Sequence, residues 1–114
     1  MKNRTPTVYV MCPPEEVRHL AGTCRVGHHN QTDKEREAQV SRDLPTPHKW
    51  KICHSIKCKS KWAAIAVEAL AHAKLEAHAF QVEDERGPWR WRCDVSAAKK
   101  ALDDAHKVVS LFLS

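Results

Sequence analysis

Glycine is scarce in this chain, with three residues among 114, and nothing resembles a glycine-rich phosphate loop. Neither an H-E-x-x-H zinc helix nor a G-x-S-x-G nucleophile elbow is present, so the usual signatures of hydrolytic catalysis are missing. No apolar run reaches the roughly 18 residues needed to cross a bilayer. The apolar run Val8–Cys12 is too short for a secretory leader and is followed by Pro13 and Pro14. These absences predict a cytoplasmic protein with reduced cysteines. The odd cysteine count, five, also argues against a complete disulfide framework.

The charge is unevenly placed. Up to Ser60 there are eleven Lys/Arg against six Asp/Glu, and from Lys61 onward eight oppose eight. The formal excess of +5 therefore belongs to the N-terminal half. Lys49, Lys51, Lys57, Lys59 and Lys61 form a run without an acidic residue, which attracts phosphate or an acidic protein surface.

The most ordered stretch is Trp62–Phe80, dense in alanine and written in helical period. Trp62, Ala66, Ala69, Ala73, Ala77 and Phe80 share one face at 100° per residue, which predicts a core stripe flanked by Ile65 and Leu70. Val67 and Leu75 then point outward. Phe80–Glu83 alternates apolar and polar, Asp84–Pro88 supplies turn chemistry, and Trp89–Val95 alternates without a fault. Trp89, Trp91, Cys93 and Val95 share one face of that strand, and Arg90, Arg92 and Asp94 the other. A final helix, capped by Asp94 or Ser96, lines up Ala97, Ala101, Ala105, Val108 and Phe112, widened by Leu102, Val109 and Leu113.

The expected architecture is α+β, one domain in which residues 61–114 form a helix–β-hairpin–helix core. Residues 1–60 form a basic, partly irregular N-terminal segment packed on it. Thr7–Cys12 reads as a strand, Glu15–Ala21 as a short helix and Asp33–Ser41 as a polar helical turn, with the rest of Thr23–Pro47 a mobile linker. A two-stranded ribbon is marginal alone, so either the N-terminal strand or the hairpin of a second subunit must complete the sheet.

Three chemistries compete for this layout. Cys24 and His28, with Cys53 and Cys58, could supply four zinc ligands, although no two-residue-spaced cysteine pair is present. Lysines interleaved with Trp50, and arginines with Trp89 and Trp91, could bind nucleic acid, but inward-facing tryptophans offer no ring to a base. A zinc-stabilised small nucleic-acid-binding protein is therefore the alternative reading. The favoured one is a non-enzymatic regulator without cofactor that binds another protein. Its expected contact residues are Ile65, Leu75, Leu111 and Leu113 as apolar anchors, with His72 and His78 as polar rim.

In size, and in the layout from Trp62 through Leu113, the chain resembles the bacterial quorum-sensing antiactivators of the QslA type. That resemblance implies a homodimer that binds the ligand-binding domain of a LuxR-type transcription activator. It implies inhibition by masking the activator's dimerisation surface, with neither catalysis nor contact with DNA. The basic N-terminal half is not explained by it.

Overall fold

Thr7–Cys12 (β1) is apolar on both sides of its pleat, with Val8 and Val10 alternating against Tyr9 and Met11. A strand of that kind needs cover on both faces and a neighbour at both edges. In the computed structural model of this protein it has both. The structure describes residues 5–42, 44, 48–82 and 89–113, with the side chain of Leu113 left out. The order is β1, a short 3-10 turn (Arg18–Leu20), β2 (Thr23–His29), α1 (Asp33–Val40) and β3 (Lys51–Lys57). There follow α2 (Lys61–Glu76), β4 (Phe80–Val82), β5 (Arg90–Arg92) and α3 (Val95–Leu113). The fold is mixed, three α-helices with a five-stranded sheet in the order β3-β1-β2-β5-β4, antiparallel at every pairing.

The sheet separates two cores. On one face Val8, Val10, Cys24, Val26 and Trp91 meet Ala64, Val67, Ala71 and Leu75 of α2 and Ala98, Leu102 and Ala105 of α3. On the other, Tyr9, Met11, Leu20 and Trp50 gather with Val17, Val40, Leu44 and Ile52 beneath α1. Helix α1 is polar, and side-chain bonds hold it down. Arg36 Nε donates to Tyr9 Oη (2.9 Å), and Glu37 Oε2 accepts from the Ile52 amide (2.7 Å). Thr32 caps it by accepting from the Glu35 amide (3.1 Å), and Ser60 caps α2 through the Ala63 amide (3.1 Å).

Several expectations are corrected here. The sheet is completed by strands of the same chain, and β5 bonds to β2, so residues 61–114 are not a self-contained helix–hairpin–helix core. Residues 23–29, expected as linker, are the central strand. Residues 51–57 form an edge strand. The expected turn at Asp84–Pro88 lies outside the described residues.

The helices are also rotated from expectation. On α2 the buried positions are Ala63, Ala64, Val67, Ala71 and Leu75, whereas Trp62, Ala69, Ala73 and Ala77 are exposed. The alanine stripe and the Val67–Leu75 stripe both fit a helical period. Valine and leucine remove more apolar area from water than alanine, so their stripe takes the core. On α3 the same choice turns Ala98, Ala101, Leu102 and Ala105 inward and leaves Ala97, Val108 and Phe112 outside.

Candidate functional site

Helices α2 and α3 pack side by side, with the start of α2 beside the end of α3 at one cleft and the end of α2 beside the start of α3 at another. The first, of about 280 Å³, is lined by Ala63 and Val67 of α2, by His106, Val109 and Ser110 of α3, and by Lys57, Cys58 and Lys59 between β3 and α2. At this end Trp62 opens α2 and is 73 % exposed, while Leu111 and Phe112 close α3 at 79 % and 80 %. Val108 is exposed too, and it lies one helical turn from both Leu111 and Phe112. None of these four side chains lines the cleft itself, and exposed large apolar groups of this size are what protein interfaces use. Lys57 and Lys59 line the cleft, Lys61 and Lys107 are exposed beside it, and no acidic residue lines it.

Of the expected contact residues, Leu111 lies in this patch and Ile65 is half-buried on α2, three residues beyond Trp62. Leu75 is corrected: at 2 % exposure it is a core residue on the buried face of α2. His78 is exposed but lines the second cleft, at the far end of the pair. The side chain of Leu113 lies outside the described residues. His72 is half-buried rather than a rim contact. Its Nδ1 accepts the Trp91 Nε1–H (2.9 Å), and its ring lies edge-on to Trp89. Burial holds this imidazole below its ordinary pKa, against the opposing pull of Glu68.

The four expected zinc ligands do not converge. Cys24 and His28 are four residues apart on an extended strand, on the order of 13 Å along it, too far to share one ion. His28 binds Glu68 (3.0 Å) instead. Cys53 is bonded to Cys12 in a disulfide joining β1 to β3, which corrects the expectation that all cysteines are reduced. Cys24, Cys58 and Cys93 are free thiols. Among the described residues no cluster of three or more His, Cys, Asp or Glu side chains could hold a metal ion.

Other histidines tie elements together. His54 of β3 binds Asp103 of α3 (2.8 Å). His29 accepts from the Gln31 amide at Nδ1 and faces Asp33 at 2.6 Å through Nε2, fastening the end of β2 to the start of α1. Trp50 and Trp91 are fully buried and Trp89 is partly buried against the helix core. Among the described tryptophans only Trp62 offers an exposed ring, and it directly follows the Lys49–Lys61 run, so a nucleic acid strand on that run would meet one stacking surface rather than a series of them.

Trp62, Val108 and Phe112 are exposed here although the sequence pattern places all three on inward-facing helix stripes. Compared with family models, curated proteins and solved structures, the chain matches none. Among the described residues no helix is long and apolar enough to cross a membrane.

Proposed function

We propose that the protein is a regulator that acts by binding another protein, with the Trp62–Val108–Leu111–Phe112 end as its contact surface. The observation that carries this reading is the exposure of three large apolar side chains, Trp62 in the first turn of α2 and Leu111 and Phe112 in the last turn of α3, at the ends of the two helices where the first cleft opens. The occupant is an amphipathic segment of a partner, with an apolar face flanked by acidic residues. Charge complementarity argues for that chemistry, because Lys57 and Lys59 line the cleft at this end and the exposed Lys61 and Lys107 adjoin Trp62 and Val108 in the chain. Inhibition of a LuxR-type activator by masking its dimerisation surface, as the resemblance implies, is the particular form of this function we favour. It requires neither cofactor nor chemistry on the partner.

The test is binding of the full-length protein to the purified ligand-binding domain of such an activator, titrated at low and moderate salt. Leu111→Arg and Trp62→Arg should each weaken binding at least about tenfold with unchanged circular dichroism, as loss of a central apolar anchor does. Added salt should slow association, because the flanking charges steer encounter. Wild-type affinity in both variants would remove the surface from consideration. A self-association that both variants abolish would assign the patch to a second copy of the chain instead.

A further inference from the structure

The second cleft, of about 230 Å³, lies at the other end of the helix pair. Its apolar walls are Leu75 and Ala79 of the α2 end and Ala97 and Ala101 of α3, and one of its lining residues is Cys93. The Cys93 sulfur stands 3.2 Å from the sulfur of Cys24 on the neighbouring strand β2. Cys24 is fully buried, whereas Cys93 is half-exposed toward the cleft. Nothing in the partner-binding reading uses this pair, and it lies far from the Trp62 end.

We propose that Cys93 and Cys24 form a thiol–disulfide exchange site whose substrate is a low-molecular-weight disulfide entering the second cleft. Access divides the roles. An incoming disulfide can reach only Cys93, which makes it the attacking sulfur, and Cys24 behind it is the resolving one. The contact between the two sulfurs holds the Cys93 pKa below its ordinary value and, together with burial, raises that of Cys24. Asp94 opposes ionisation of both sulfurs. Lys74, His78 and Lys100 stand around the cleft, with Lys100 engaged by Asp104 (2.9 Å).

The exchange balances without any further reactant. Cys93 loses its proton to solvent, and its thiolate attacks one sulfur of the substrate, forming a mixed disulfide and expelling a thiolate that is then protonated. Cys24 next loses its proton, and its thiolate attacks the Cys93 sulfur and expels the second thiolate. Two protein thiols are oxidised by two electrons, and one disulfide is reduced to two thiols. Closing the protein bond brings the sulfurs from 3.2 Å to about 2.05 Å.

The test treats the full-length protein with glutathione disulfide, alkylates remaining thiols and maps the peptides by mass spectrometry. The expected product is a Cys24–Cys93 linked peptide, with Cys58 alkylated and the Cys12–Cys53 bridge retained. In Cys24→Ala the reaction should stop at a glutathionyl adduct on Cys93, with complete loss of the linked peptide. In Cys93→Ala neither product should form, since Cys24 has no route to solvent. Should either variant fail to fold, the wild-type map still decides. Both thiols left free, an unresolved adduct on Cys93 in the wild type, or modification confined to Cys58 would each overturn the proposal.

Discussion

The indole Nε1–H of Trp91 donates to Nδ1 of His72 across 2.9 Å, and the two rings stack with centroids 5.7 Å apart. This bond fixes the imidazole as the neutral tautomer with its proton on Nε2, because a protonated Nδ1 could not accept. Burial acts in the same direction and depresses the folded-state pKa below the ordinary 6.5. Above pH 6.5 the histidine is neutral in both folded and unfolded chains, and its contribution to stability is complete. Below that pH the unfolded chain takes up the proton first, so stability falls until the native imidazole also protonates. The urea midpoint measured across pH 5 to 8 should decline on its acid side, and His72→Gln, which can still accept from the indole, should flatten that decline.

Leu75 and Leu111 look alike in the sequence and should behave oppositely. Leu75 lies on the buried face of α2, so Leu75→Ala should cost about 2–5 kcal/mol in denaturant unfolding through lost burial and the cavity left behind. Leu111→Ala should change stability by no more than about 0.5 kcal/mol, as substitutions at exposed positions do. Equal losses from both would mean that α3 continues into the core at its end.

Gly27 of β2 is the position that gives Tyr9 its room. A Cβ there would stand 2.6 Å from Tyr9 Oη, the same hydroxyl that accepts from Arg36 of α1. Gly27→Ala must displace the ring and loosen α1, at about 1–3 kcal/mol by the usual cost of overpacking. The direct check is hydrogen exchange in residues 33–40, which should accelerate in the variant.

The Cys12–Cys53 bridge closes a loop 41 residues apart in sequence and fastens the edge strand β3 to β1. Its reduction, or Cys53→Ser, should lower unfolding free energy by about 2–4 kcal/mol. Thermal melts with and without reductant read this out. Cys12→Ser,Cys53→Ser should melt alike in both conditions.

How far the sequence could be read follows from where its apolar residues stand. Of the expected strand Trp89–Val95 only Arg90–Arg92 is strand, Val95 already belongs to α3, and Arg90, expected to face outward, is fully buried. Thr7–Cys12 was legible because bulky apolar groups alternate along it. Thr23–His29 was not, since its core contributions are one cysteine and one valine, with a glycine opposite Tyr9. Its strand conformation comes from neighbours on both sides, a tertiary cause that local pattern does not carry. The second helix was legible as a helix and illegible in its rotation. Alanine on both faces makes the two orientations nearly equal until the sheet that meets them is known. The Trp62 patch was hidden for the same reason, because the assumed stripe placed that indole inside.

One further feature is the interruption of the β1–β3 pairing between Val10 and Met11, where Cys53 is the residue without an opposite number. Above it His54 reaches α3, and below it Ile52 joins the core beneath α1. A strand that changes sides midway, and is tethered at the change, makes a poor template for another chain's backbone. The protein thereby protects the longer of its two open sheet edges against runaway assembly, and losing the tether would turn that margin into a seed for aggregation.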